Sequence, residues 1–289
     1  MFRARSNPPG VRRLRPSEES RLRAELARNH AENAYLLGLL ADYSLRGLGE
    51  MGWGAFYWFE SPGGIEGIFY GDATGLVVLT ESSQSALARF ADYCLQKEVA
   101  VKRIIAAREP ARLLHQFLHA KSPEGKNFQR WFEEVGMILT PERLEVCTEP
   151  RLRGAVPSEA MQVAQGAAEA MLEELHVETA EDEFQRLVRS KADLIDKGRY
   201  YVLEESGSIL FQAYLSASLS EVGQIQGVWV PPEHRGRGLA TRCLGEMCKR
   251  CFLTHGALVL SVQKRNLPAL AVYRKLGFAP FQDRVSIWY

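Results

Sequence analysis

Val228-Trp229-Val230-Pro231-Pro232-Glu233-His234-Arg235-Gly236-Arg237-Gly238-Leu239-Ala240 is the stretch on which the fold turns. The apolar run reads as the end of a strand. It stops at two prolines, passes through a basic, glycine-rich turn and enters a helical pattern near Leu239. A strand, a glycine-rich turn and a helix N-terminus together make an anion site. The first N–H groups of a helix have no internal partner, and the helix dipole there favours negative charge. Gly236 and Gly238 let a pyrophosphate approach the backbone, and Arg235 and Arg237 can add charge-assisted hydrogen bonds. A P-loop needs Lys and then Ser or Thr after the last glycine, but Leu239-Ala240 stands there. A dinucleotide fingerprint needs a third glycine where Thr241 stands.

What remains is Arg235-x-x-Gly238-x-Ala240. Downstream, Leu258-Val259-Leu260-Ser261-Val262 reads as a buried strand, followed by Asn266-Leu267-Pro268-Ala269-Leu270-Ala271-Val272-Tyr273-Arg274-Lys275-Leu276-Gly277-Phe278. Asn266 is a good N-cap, Pro268 falls in the first turn, and Gly277 suits the position just past the helix end. Asn266 and Tyr273 then lie about two turns apart on roughly one face. The first pattern resembles motif A, and the second motif B, of the GNAT superfamily of N-acetyltransferases, in the family's order and spacing.

The resemblance implies an α/β fold: a mixed, mostly antiparallel central sheet flanked by helices. It implies acetyl-CoA as co-substrate, with its pyrophosphate on Arg235, Gly236, Arg237, Gly238, Leu239, Ala240 and Thr241, and its pantetheine arm paired with the backbone near Val228 and Val230. A backbone N–H on that strand would polarise the thioester carbonyl. Tyr273 matches the family's general acid, which protonates the departing thiolate. Asn266 would cap its helix and contact CoA. The family's general base is often an acid on or near the strand before motif A. Glu221 is the only carboxylate in that stretch, with Glu174 and Glu178 as alternatives. The expected reaction moves an acetyl group to a primary amine (a small amine, an amino acid or a peptide N-terminus) by direct attack in a ternary complex. Gln224, Gln226, Trp229, Trp288 and Tyr289 are candidates to line the acceptor pocket. Two other readings stay open: a glycine N-acyltransferase-like enzyme, and a non-catalytic acyl-CoA-binding regulatory module.

Composition narrows the partners. The chain has 289 residues and a net charge of +1, which gives no case for nucleic acid, and no apolar run is long enough to span a bilayer. The first 17 residues carry five arginines and no acid, read as a flexible basic start without the apolar core of a secretory signal. A cytoplasmic protein is expected, and a homodimer is compatible with the sequence. Five cysteines, an odd number, argue for reduced thiols. Cys243, Cys248, Cys251 and His255 lie close together, but no fourth compelling ligand accompanies Cys248, Cys251 and His255 on their helical face. No metal is expected, and the thiols read as the buried side of the helix after motif A.

The C-terminal part reads as a complete GNAT unit. Leu144 to Cys147 is a candidate first strand. A helix runs from Ser158, as N-cap, to Leu175, and another from Ala180 to Asp196. A hairpin spans Tyr200–Tyr214, Gln224–Val230 feeds motif A, and Arg284 to Tyr289 makes a last strand. Residues 75–119 repeat the order strand, helix, strand, helix. Where motif A should lie, however, the chain reads Thr80-Glu81-Ser82-Ser83-Gln84-Ser85-Ala86, with no glycine and with an acid that would repel phosphate. Asn127 and Trp131 do not rebuild motif B. The expected organisation is a basic start over 1–17, a degenerate GNAT-like domain over 18–140 and a catalytic domain over 141–289. Near the start, Asn29-His30-Ala31-Glu32 reads as a capped helix opening.

Overall fold

The computed structural model describes residues 10–97, 99–121, 129–145 and 148–289; Asn127, Val146 and Cys147 lie outside them. The described elements, in chain order, are β1 (Gly10–Arg13), α1 (Glu19–Leu26), α2 (His30–Glu50), β2 (Gly54–Ser61), β3 (Gly64–Asp72), β4 (Leu76–Leu79), α3 (Gln84–Gln96), β5 (Arg103–Ala107), α4 (Arg108–Lys121) and β6 (Arg130–Leu139). There follow β7 (Arg153–Gly154), α5 (Ala160–Leu175), α6 (Glu181–Asp196), β8 (Tyr200–Glu205), β9 (Ser208–Ser218), β10 (Gly223–Trp229), α7 (Leu239–Cys251), β11 (Leu258–Gln263), α8 (Leu267–Lys275) and β12 (Ala279–Trp288). The chain divides into two compact units. One takes in the described residues up to Val135 with Gln263–Arg265 and Gln282–Tyr289; the other takes in Gly136–Val262 and Asn266–Phe281. In each, a mixed, mostly antiparallel sheet is flanked by helices, the α/β class expected.

In the first unit, β1, β2, β3 and β4 pair antiparallel in sequence, and β4 pairs parallel with β5. Helices α3 and α4 bury Leu87, Phe90, Leu114 and Leu118 against Phe69, Val77 and Ile104. Asn29 caps α2 as expected, its side chain accepting from Glu32 N–H. Two features depart from the sequence reading. Gly10–Arg13 is not loose: it is a strand whose register runs Gly10↔Glu60 to Arg13↔Tyr57, with Arg12 bonded to Glu18 at 2.8 and 2.6 Å. The basic composition there serves ion pairing at a sheet edge. The last strand is also reassigned. Arg284 to Trp288 pairs antiparallel with β5, and Val285 and Ile287 are fully buried in the first unit's core.

In the second unit, β7, β8, β9 and β10 pair antiparallel and β10 pairs parallel with β11. Helices α5 and α6 pack on β8 and β9 through Val163, Val188 and Ile195. Leu144 and Glu145 are not a strand; the next strand among the described residues is the short β7. Ser158 does not cap α5. It sits inside a 3-10 turn, Pro157–Glu159, and the Glu159 carboxylate takes the Val156 N–H at 2.8 Å. Proline at the head of that turn fixes its φ and so moves the helix start past Ser158.

Candidate active site

The site begins where β10 leaves its neighbours. On one side, its pairing with β11 covers only Gly223↔Leu258 and Gln224↔Val259, although both strands run on. On the other side, its register with β9 shifts twice, between Gln224 and Ile225 and between Gln226 and Trp229. Gly227 carries the bulge. Its φ is +63°, and a Cβ there would lie 2.4 Å from Tyr214 Cε1, so both backbone and space require glycine. The strands therefore part along Ile225–Trp229, leaving a cleft edged by backbone N–H and C=O groups that a ligand can pair.

At the end of β10 the chain turns through the basic loop. Gly238 precedes α7 at φ +71°, and no side chain caps this helix end. The space beside Gly236 is open, since a Cβ there would meet nothing within 4 Å. An uncapped helix N-terminus next to the open Gly236 is the cradle expected for a pyrophosphate. The two arginines divide the work differently from the sequence reading. Arg235 turns back onto the protein. Its Nε donates to the Val230 carbonyl at 2.8 Å, its two terminal nitrogens meet Glu173 at 2.7 and 2.9 Å, and its guanidinium lies 4.5 Å over the Trp229 ring. It holds the loop rather than facing outward. Arg237 has no side-chain partner among the described residues, and its carbonyl accepts from Arg242 at 3.0 Å. Leu239 and Thr241 are buried, and Ala240 is half-buried.

Asn266 caps α8 as expected, accepting the Ala269 N–H at 3.2 Å, while its Nδ2 donates to Glu174 Oε1 at 2.9 Å. Tyr273, one face along, is buried against Phe278 at 5.8 Å between ring centroids. Burial pushes its phenol well above the ordinary tyrosine value, with the Glu174 carboxylate adding to the rise. A proton donor kept protonated, with a carboxylate close by, suits general acid–base work. Two residues at the C-terminal end of α5 thus tie the motifs together: Glu173 holds Arg235, and Glu174 holds Asn266 beside Tyr273.

Glu221 does not join this group. It lies before the start of β10, exposed, accepting from Ser220 Oγ at 2.8 Å. It stands six positions before Gly227, roughly 20 Å along an extended chain. Glu178 is exposed in the segment between α5 and α6. Gln226 Oε1 accepts from the Tyr214 hydroxyl at 3.1 Å; Gln224 Oε1 and Trp229 Nε1 are enclosed without a partner. Trp288 and Tyr289 belong to the first unit, where Arg103 lies 5.2 Å over the Trp288 ring and the Tyr289 hydroxyl meets His115 Nδ1 at 2.8 Å.

The thiols of Cys243, Cys248 and Cys251 are buried. Burial pushes Cys243 up to about 12 and Cys251 up to about 11. Both nitrogens of His255 are in use, Nδ1 at 2.8 Å from the Cys251 carbonyl and Nε2 at 2.9 Å from Ser218 Oγ.

The sequence profile of the Acetyltransferase (GNAT) family matches residues 166–278, which begin within α5 and end just before β12, so at the level of domain and fold this part of the chain is a GNAT domain. The fold is similar to that of a GNAT-family acetyltransferase from Colwellia psychrerythraea (14% identity, TM-score 0.59, covering 96% of this chain and 99% of that one). It is also similar to a tandem GNAT protein from the clavulanic acid biosynthesis pathway (14% identity, TM-score 0.60, covering 97% and 98%). An uncharacterized protein of Mycobacterium leprae is 40% identical over 55 residues, which span 19% of this chain and only 15% of that protein. Among the described residues, no helix is long and apolar enough to cross a membrane.

Proposed function

We propose that the chain is an acetyl-CoA-dependent N-acetyltransferase with one working site, in the second unit. The carrying observation is the conjunction of the β10–β11 cleft, the uncapped α7 N-terminus and Tyr273. The loop N–H groups from Gly236 to Thr241, with Arg237, hold the pyrophosphate. The free edge of β10 at Val228, with the Val230 N–H just past its end, pairs with the pantetheine arm, and a backbone N–H at the bulge takes the developing negative charge of the carbonyl. Tyr273 gives its proton to the departing sulfur. Glu174, which accepts from Asn266 at the start of the helix that carries Tyr273, takes the place of Glu221 as the carboxylate that receives the proton of the attacking amine.

In this reading the first unit is a diverged copy. It has its own parallel pair, β4 and β5, and the same order β4-α3-β5-α4. But Ser83 caps α3 by accepting the Ala86 N–H at 3.1 Å, and Ser83 and Ser85 both donate to Glu66. A helix start already capped and faced by a carboxylate has nothing to offer a phosphate. The similarity to a tandem GNAT protein supports this assignment.

The test is CoA release from acetyl-CoA across a set of primary amines, with wild type, Tyr273→Phe and Glu174→Gln. The reading expects a turnover that falls at least tenfold in Tyr273→Phe while acetyl-CoA affinity holds. Unchanged turnover in Tyr273→Phe removes the acid from the mechanism.

A further inference from the structure

The second unit buries a lysine among aromatic rings. Lys191, on α6, is 5% exposed. Its Nζ lies 4.0 Å from the centroid of the Tyr214 ring and 5.9 Å from that of Tyr200. The two rings stack at 5.3 Å, and the ammonium lies over the face of Tyr214. Among the described residues, no carboxylate pairs with Lys191. The Tyr200 hydroxyl is enclosed and unpartnered. Ring faces attract a cation, but they do not replace an anion: a buried charge is ordinarily matched by one.

The same tyrosine ties this ammonium to the cleft. Tyr214 donates to Gln226 at 3.1 Å, and its ring edge lies against Gly227, so close that a Cβ there would sit 2.4 Å from Cε1. Lys191 and the β10 bulge are therefore one ring's width apart. Two neutral amides lie on the neighbouring strands: Gln212 donates to the Val163 carbonyl at 3.2 Å, and Gln224 offers an enclosed, unpartnered oxygen.

We propose that the acceptor is an amine that also bears a carboxylate, a short amino acid, and that Lys191 pairs with the carboxylate while the amine faces the bulge. This rests on the acetyl-transfer reading of the same site. The amine nitrogen attacks the thioester carbonyl, and a C–N bond forms as the C–S bond breaks. The thiolate takes the Tyr273 proton, and the proton lost by the amine passes to Glu174. Lys191 is a specificity-determining residue that touches the acceptor away from the reacting atoms.

The experiment uses the full chain with saturating acetyl-CoA. The probes are the proteinogenic amino acids, β-alanine and 4-aminobutyrate, each beside its own carboxamide, with CoA release as readout. Free acids should exceed their amides at least tenfold in kcat/KM for the best pair. Lys191→Met should lower kcat/KM for that acid about 10- to 100-fold, through KM rather than kcat, and erase the preference over the amide. Lys191→Arg should restore part of it. Amides accepted as well as acids, a preference that survives Lys191→Met, or no carboxylate-bearing amine acetylated by a protein that binds acetyl-CoA would each overturn the proposal. Failure to bind acetyl-CoA at all would instead bring down the acetyl-transfer reading, and this inference with it.

Discussion

Replacing Gly227 by alanine tests the geometry that opens the cleft. Two costs add at this position. An alanine held at φ +63° occupies the left-handed region, at about 1–2 kcal/mol. Its Cβ would also lie 2.4 and 2.9 Å from Tyr214 Cε1 and Cδ1. That ring cannot yield freely, being stacked on Tyr200, covered by Lys191 and bonded to Gln226. Forcing a methyl group into such a contact costs about 1–3 kcal/mol more. Gly198 is the control. Its φ is +67° and nothing stands within 4 Å of a Cβ there, so Gly198→Ala carries the backbone cost alone, about 1 kcal/mol. Urea unfolding followed by circular dichroism should therefore place Gly227→Ala about 2 kcal/mol below Gly198→Ala. The difference should vanish when Tyr214→Leu is added, because the clashing edge is gone. Equal costs for the two alanines, or no relief from Tyr214→Leu, would refute the claim that Tyr214 and Gly227 together set the bulge.

Tyr273 stays protonated beyond the ordinary tyrosine range, so kcat should rise as the amine loses its proton and show no falling limb below about pH 10; a descending limb near pH 8 would exclude it as the acid. Tyr200 and Tyr273 both titrate higher folded than unfolded. The unfolded chain then sheds protons first, so stability is full below about pH 10 and falls above it, which denaturation midpoints across pH 8–11 would show. Native protein should leave Cys94, Cys243, Cys248 and Cys251 unlabelled by a thiol reagent until denaturant is added, since all four are buried; fast native labelling of any of them would contradict the packing of α3 or α7. Arg235→Ala should cost about 1–2 kcal/mol, from the lost Val230 bond and the Trp229 face rather than the exposed Glu173 pair. Arg237→Ala should leave stability unchanged and weaken acetyl-CoA binding about tenfold, as calorimetry and melting curves together would separate.

What the sequence revealed follows from the range of its signals. Motif A and motif B are local: glycines at φ-demanding positions, an Asn cap and helical spacing can all be read within a dozen residues, and the helices and strands around them fall where the spacing puts them. The contacts that organise the site are not local. Glu173 reaches Arg235 across 62 positions and Glu174 reaches Asn266 across 92, and nothing near either acid marks it. Glu221 was singled out by the opposite kind of signal. Proximity in sequence to β10 suggested the site, but a strand carries its two ends far apart. Gly227 had a readable sign, a glycine inside an apolar strand pattern, which points to a bulge. Lys191 had none, since one lysine in an amphipathic helix reads as solvated. The last strand looked like the final element of its own domain. Its alternating Val285 and Ile287 fit any sheet edge, and only pairing with β5 decides which.

Calorimetric titration of the full chain with acetyl-CoA decides most directly between an acetyl-CoA site and a mere helix start. The structure predicts one site per chain, abolished by Gly238→Trp, which fills the loop in front of α7, and unaffected by Ser83→Trp at the start of α3. No binding at high micromolar acetyl-CoA, or binding that survives Gly238→Trp, would contradict it.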